Sequence, residues 1–378
     1  MINPARRANL DVVRGVAILA VVGIHSFQGA VSLFPSSVMP ESGRTFVVVS
    51  FLRFGVELFY LLSGWLMFSI YRRNREETGR RYLAKRAGRI WPLWVAFSAL
   101  SFTSLIFHWQ VSPVASRFTA DSWIGWVVAF VTVLLFLGWF DQGLWNVPPG
   151  GWSIQVEIGH YSLFWFLRKT RDLFLIASVL VGYSTFFLVD YIFNQQMGGW
   201  IQSFAESWLR LGLFGTWPFF VAGGLAFIWW PKGESGVRAF AELSREARVL
   251  RALLVGLVLV IAWWVPIPYG MTYEAVLASV VLLGVSWLMV TWALTLKLGA
   301  LFGRYSYFIY FVHFWILQIL LFGIRDLTTF YLVGNAVLFW VTFLIIYIVT
   351  LALSLILAVP SWKYFESKWI SRTHVTRS

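Results

Sequence analysis

The stretch LDVVRGVAILAVVGIH, residues 10–25, begins an apolar run that continues to Leu33 and decides the fold. A membrane-spanning helix needs about 20 mostly apolar residues in succession. The chain is 59% hydrophobic and 12% charged, whereas soluble domains carry about 25% charged residues. We therefore predict an all-α, polytopic integral membrane bundle. Further apolar runs fall at 46–70, 88–108, 122–140, 172–193, 208–230, 249–265, 272–296, 304–323 and 331–359, with a shorter one at 152–167.

The basic residues lie in alternate connections between these runs. They crowd residues 71–89, 168–172, 231–251 and the tail after 360, while the intervening loops carry at most one each. Cytoplasmic loops of membrane proteins carry an excess of Lys and Arg. The pattern predicts ten crossings of the bacterial inner membrane with both termini cytoplasmic. The net charge of +13 is then mainly a topology signal, and we expect no nucleic-acid partner.

One of the two segments between 122 and 167 should not cross, because eleven crossings would put basic loops on the wrong side. Residues 152–167 are short and include Gln155, Glu157 and His160, which are costly to expose to lipid. We predict that this segment is a re-entrant helix lining a cavity, where irregular backbone is tolerated.

Arg14 and His25 are ionisable residues inside the first apolar run. Eleven steps of about 100° place them on one helix face, about 16 Å apart along the axis. An ionisable residue within a membrane segment is a functional hypothesis by default. The alternative is an arginine that extends to the interface and a histidine bonded to a neighbouring helix.

Two further pairs of charged residues have helical spacing. Arg86 and Arg89 are three apart, and two guanidinium groups on one face suit phosphate groups; the alternative is a positive-inside anchor. Arg53 and Glu57 are four apart and fit a structural ion pair.

Glu157 follows the turn at residues 148–151, which contains two prolines and two glycines. A carboxylate delivered there can orient His25, although a structural carboxylate is the alternative. His160 and His313 lie among aromatic residues, and for each we favour a packed, hydrogen-bonded role. The chain has no cysteine, which excludes disulfides and cysteine-bound zinc, and we expect no metal.

At these residues the chain resembles the acyltransferase-3 family of membrane enzymes. The motifs are the Arg14-ten-residues-His25 spacing, FGVELFYLLSGW at 54–65, RAGRIWP at 86–92, WSIQVE at 152–157 with Tyr161 following, and GRYSY at 303–307 leading to His313. Each motif is weak alone, but five in order make a specific signal.

The resemblance implies about ten helices, an acyl-CoA donor entering from the cytoplasm, and His25 as the essential histidine. It assigns Arg14, Arg86 and Arg89 to donor binding, while Glu57, Arg53, Trp152, Tyr161 and His313 are substrate-binding or structural candidates. We expect one domain over 1–378, without a fused extracytoplasmic domain.

The expected function is O-acetyl transfer from acetyl-CoA to a sugar hydroxyl of a bacterial surface polysaccharide, exopolysaccharide or glycolipid precursor. Polysaccharide-assembly machinery is a candidate partner. The alternative is a transporter of a lipid-linked sugar or small molecule, because charges near the bilayer midplane and a helix broken near Pro148 and Gly150 are compatible with transport. The sequence leaves open the acceptor, the choice between direct transfer and an acyl-histidine intermediate, and the oligomeric state.

The charge pattern generates a prediction about topology. A C-terminal fusion to a reporter that is active only in the cytoplasm should be active. A C-terminal fusion to a reporter that is active only in the periplasm should be inactive. The opposite pattern would contradict the ten-crossing arrangement.

Overall fold

The computed structural model describes residues 4–34, 52, 55–73, 78–112, 122–138, 144–168, 174, 177, 178, 181, 184, 212–229, 297–328 and 336–369. Throughout these ranges the regular structure is helical, and no strand occurs in them. The all-α prediction is therefore confirmed for the described part of the chain. The helices are α1 (Pro4–Leu33), α2 (Gly55–Arg73), α3 (Gly79–Ile106), α4 (Trp123–Leu134), α5 (Gly151–Leu167), α6 (Leu213–Trp229), α7 (Lys297–Arg304), α8 (Ser306–Thr328) and α9 (Ala336–Ser361), and α9 continues into a π-helix at Trp362–Glu366.

Four helical stretches in the described part are long and apolar enough to cross a membrane. They lie in α1, α3, α8 and α9 with its extension, at Asp11–Leu33, Gly88–Ile106, Ser306–Arg325 and Val337–Trp369. The predicted segments 249–265 and 272–296, and almost all of 172–193, fall outside the described residues. These candidate membrane-spanning helices support the predicted membrane bundle, and the number of ten crossings stays a prediction.

The helices α4 and α5 occupy the region where one predicted segment should not cross. They have 12 and 17 residues, or about 18 and 26 Å at 1.5 Å per residue, against a bilayer core of about 30 Å. On α4, Trp123, Ile124 and Val127 are exposed, whereas Gln155 and His160 of α5 are fully buried. Gln155 and His160 are thus covered by protein, and the re-entrant assignment stays a prediction.

The chain divides into two compact units. The first contains the start of α1, α2, the end of α5, α6 and α7. In this unit α2 and α6 pack with their backbones in close contact, because a Cβ on Gly64 would overlap the Phe220 carbonyl and one on Gly223 would overlap the Leu61 carbonyl. Small residues permit such an approach between membrane helices, where dispersion contacts drive association.

The start of α1 packs in the same way against α7. A Cβ on Gly15 would overlap the carbonyl of Gly299, and a Cβ on Gly303 would overlap the carbonyl of Asp11. These glycines set the position of the turn of α1 that carries Asp11 and Arg14.

The second unit contains the rest of α1, α3, α4, the start of α5, α8 and α9. One cluster of its core joins α1, α8 and α9, and its buried members are Ala30, Phe34, Leu317, Phe339, Phe343 and Ile346. Polar contacts add to it: Tyr347 Oη donates to the Leu19 carbonyl at 3.2 Å. Trp94 Nε1 likewise joins α3 to α4 by donating to the Val133 carbonyl at 2.9 Å.

The contact between α2 and α6 predicts the effect of a larger side chain at Gly64. We expect Gly64→Val to destabilise the purified protein by about 1–3 kcal/mol, because the new side chain forces the two backbones apart. The measurement is thermal unfolding in detergent. Gly323→Val on α8 is the matched control, since a Cβ there meets nothing within 4 Å. Equal stability of the two variants would contradict the role of Gly64 in packing.

Candidate active site

His25 lies on α1, half-buried, with a side-chain partner on its own helix. Its Nδ1 is 3.1 Å from Oε1 of Gln28, three residues further along. Two rings from α8 contact it: the centroid of Phe314 is 4.5 Å away and that of His313 is 5.4 Å away. The structure therefore joins two histidines that the sequence analysis considered separately.

His313 is fully buried, with exposure of 0%. Its Nδ1 lies 2.9 Å from the carbonyl of Ile309, four residues earlier on α8. A carbonyl can only accept, so Nδ1 carries the proton and Nε2 has a lone pair. In the part of the chain that the structure describes, Nε2 has no hydrogen-bond partner. His313 is thus a buried, half-satisfied ring beside His25.

The turn before α5 is tied to the same stretch of α8. Gly150 has φ +74°, a conformation that favours glycine, and its N–H donates to Asn146 Oδ1 at 2.7 Å. Tyr310 Oη donates to the Gly150 carbonyl at 3.0 Å and also lies beside the Ser153 hydroxyl. A Cβ on Gly150 would stand 2.7 Å from the ring of Phe314. The glycine therefore allows this turn to lie against Phe314, which in turn contacts His25.

Glu157 lies half-buried on α5 and takes part in its own polar interactions. It is not the hydrogen-bond partner of His25, because among the described residues that partner is Gln28. Trp152, on the same helix, is half-buried and stacks parallel to Trp145 with centroids 6.3 Å apart. A catalytic role for Glu157 stays a prediction.

The first unit contains His160 and Tyr161 of α5. His160 is fully buried, and its Nε2 is 3.1 Å from Thr216 Oγ1, with the Leu213 carbonyl at 3.4 Å. Tyr161 Oη donates to Ser63 Oγ at 3.2 Å. These contacts favour the packed, hydrogen-bonded interpretation of His160.

Arg14 forms an ion pair with Asp11, one helical turn earlier, at 2.7 Å. Both side chains are largely buried, with exposures of 16% and 20%. Glu57 lies half-buried in the first turn of α2, and its predicted partner Arg53 is outside the described residues.

Arg86 and Arg89 both lie on α3, as their spacing predicts. Arg86 is half-buried and its guanidinium carbon is 5.9 Å from the ring centroid of Tyr82, whereas Arg89 is exposed. Two arginines at this position give α3 a local excess of positive charge.

Glu366, in the π-helix after α9, is a residue that the sequence analysis missed. It is only 8% exposed, accepts a hydrogen bond from Ser361 Oγ at 3.2 Å, and interacts electrostatically with Arg89. Glu366 therefore places a buried carboxyl group near the exposed side chain of Arg89. The sequence feature that could have identified Glu366 is its acidic side chain within a tail that is otherwise rich in lysine and arginine.

The described residues contain no group of three or more His, Asp or Glu arranged to hold a metal ion. The polar chemistry of these residues rests on imidazole, guanidinium, carboxylate and hydroxyl groups.

Comparison with known families gives one match. A family model described as an acyltransferase domain, acyltransferase-3, matches residues 7–359. The matched range includes most of α1, all of α2 to α8 and most of α9, with both rings of the histidine pair. Comparisons with curated proteins and with solved structures each found no match.

Proposed function

The chain belongs to the acyltransferase-3 family, and on that premise we propose that this membrane acyltransferase is an O-acetyltransferase. Its donor is acetyl-CoA, bound from the cytoplasm. Its acceptor is a sugar hydroxyl on a bacterial surface polysaccharide, exopolysaccharide or lipid-linked precursor at the inner membrane. The observation that carries the proposal is the position of His25, half-buried on α1 with Gln28 at Nδ1 and two rings of α8 against it.

The chemistry proposed for His25 is general-base catalysis. The acceptor hydroxyl oxygen attacks the thioester carbonyl carbon while the unprotonated ring nitrogen, Nε2, takes the hydroxyl proton. The carbon–sulfur bond then breaks, and the departing CoA sulfur takes the proton from the imidazolium. The ring is thereby restored for the next cycle.

A two-step route uses the same atom. Nε2 attacks the thioester carbon, the carbon–sulfur bond breaks, and CoA leaves as a thiolate that takes a proton from water. The acetyl group stays on the ring as an acylimidazolium until the acceptor hydroxyl oxygen attacks it; the ester forms, Nε2 recovers its lone pair, and the hydroxyl proton passes to water. This route suits donor and acceptor sites on opposite sides of the membrane, because the acyl group is held between them. In both routes the ring must be unprotonated at the start.

Donor binding is proposed to depend on Arg86 and Arg89, with Arg14 as a further candidate. Their support is chemical: CoA carries several phosphates, and guanidinium groups bind phosphate through paired N–H donors. Glu366 supports the arrangement by its interaction with Arg89. Arg14 already has Asp11 as an ionic partner, so its contribution to phosphate binding is expected to be smaller.

A transporter of a lipid-linked sugar is the other class considered for this chain. It predicts movement of a substrate without formation of a new ester. Transfer of isotope from labelled acetyl-CoA to a glycan, in membranes that contain only this protein, separates the two classes.

Replacement of the proposed base tests the chemistry directly. His25→Gln and His25→Asn should insert and fold but should reduce acetyl transfer by about 10²–10⁴-fold, the usual contribution of a general base. The measurement is single-turnover transfer from labelled acetyl-CoA with purified protein.

His108→Gln is the matched control, because His108 is exposed in the turn after α3. Its rate should equal that of the wild type. Transfer by His25→Gln at close to the wild-type rate would show that His25 is not the base. His313 or His160 would then be the next candidate.

The arginine pair yields a prediction about donor affinity. Arg86→Ala and Arg89→Ala should each weaken acetyl-CoA binding by about 1.5–3 kcal/mol, because each removes charge-assisted hydrogen bonds to phosphate. Lysine should restore binding only in part, since it lacks the planar fork. Binding is measured by titration calorimetry in detergent.

Arg325→Ala, in the last turn of α8, is the control for simple loss of a positive charge. If the Arg86→Ala, Arg89→Ala double variant binds acetyl-CoA as tightly as the wild type, the two arginines do not bind the donor. They would then serve only as positive charges that set the topology.

A further inference from the structure

We propose that Gln28 is a positioning residue that fixes the tautomer of His25, so that Nε2 is the atom available for acyl transfer. The proposal rests on the proposed function, because it assigns a partner to the base used there. Gln28 belongs to none of the motifs singled out in the sequence.

The geometry of the contact determines where the proton lies. The atom of Gln28 that faces His25 Nδ1, at 3.1 Å, is Oε1, and an amide oxygen can only accept a hydrogen bond. With the amide placed in this way, Nδ1 carries the proton and Nε2 holds the lone pair. The i,i+3 spacing on α1 keeps the two side chains on one helix face.

The neighbouring ring has the same tautomer for a different reason. The Ile309 carbonyl accepts from His313 Nδ1 at 2.9 Å, so His313 Nε2 is also an acceptor. Two acceptor nitrogens cannot hydrogen-bond to each other. The lone pair of His25 Nε2 is therefore not consumed by the adjacent ring and stays available to a hydroxyl or a thioester.

The choice of tautomer matters because neutral imidazole side chains in water carry the proton mainly on Nε2. Without a partner at Nδ1, most His25 rings would present an N–H at the reacting position. Once Nε2 takes a proton, the same Gln28 contact becomes charge-assisted and stabilises the imidazolium. A neutral amide does this without placing a second charge in a poorly solvated site, where an additional ion is costly.

The activity test compares two substitutions at one position. Gln28→Leu should slow single-turnover transfer about 3- to 10-fold, as expected for one lost neutral hydrogen bond, with unchanged affinity for acetyl-CoA. Gln28→Glu keeps the acceptor and should restore the rate at pH values where the ring is unprotonated. Its acid limb should move to higher pH, because a carboxylate favours the protonated ring. Among the described residues, His313 is the titratable side chain whose ring contacts His25, so both rings must be followed.

Gln318→Leu on α8 is the matched control, since it makes the same chemical change on another apolar helix. It should leave both the rate and the pH profile unchanged. A wild-type rate in Gln28→Leu together with a wild-type pH profile in Gln28→Glu would overturn the proposal.

Nitrogen-15 NMR of histidine-labelled protein in lipid reads the tautomer without any substrate. The His25 signals are assigned by their loss in His25→Gln. The wild type should show a protonated Nδ1, and Gln28→Leu should shift the population towards protonated Nε2. A wild-type ring protonated on Nε2 would overturn the proposal, as would a population unchanged in Gln28→Leu.

The series separates this inference from the proposed function. If His25→Gln still transfers acetyl groups, the base assignment fails whatever Gln28 does. If His25→Gln is inactive while the Gln28 variants match the wild type in rate, pH profile and tautomer, only the positioning role fails. A poorly folded Gln28→Leu leaves Gln28→Glu and the wild-type spectrum to decide.

Discussion

Water is absent from the middle of a bilayer, so a polar group on a membrane helix must find its partner inside the protein. At Nδ1 the two histidines satisfy this constraint with neutral acceptors: a glutamine amide for His25 and a backbone carbonyl for His313. Both acceptors lie on the same helix as the ring they hold. The orientation of each imidazole is therefore built into its own helix, and only the distance between the rings depends on how α1 and α8 pack.

Within the first unit, helix packing depends on residues without side chains. Where Gly15 meets α7, and where Gly64 meets α6, a methyl group would occupy the position of a backbone carbonyl. In lipid the hydrophobic effect does not drive helices together. Close approach of this kind supplies the dispersion contacts that stabilise the packing instead. The glycines thus perform in this protein the task that large apolar side chains perform in a soluble core.

The sequence predicted the helices with the longest uniform apolar runs, because length and composition suffice to identify them. It also placed Arg86 and Arg89 on one helix, which the structure confirms, while the roles of His25, Arg86 and Arg89 stay predictions. It did not pair His25 with His313, because no local pattern records which distant helices are neighbours. The sequence analysis considered Glu157 and not Gln28 as the partner of His25, because a carboxylate is the more familiar hydrogen-bond partner of a catalytic histidine. Glu366 was overlooked because the basic residues around it were taken as a topology signal.

The π-helix at Trp362–Glu366 has a consequence for the last helix as a whole. Each residue of a π-helix turns the chain through a smaller angle than in an α-helix, so the faces before and after it fall out of phase. The exposed apolar side chains of α9, which include Val341 and Ile348, are followed beyond Ser361 by exposed Tyr364 and Phe365. Over these residues the chain turns Glu366 inward, where it is 8% exposed. One continuous helix thus has an exposed apolar side along most of its length and, at its end, a buried carboxyl group that interacts electrostatically with Arg89.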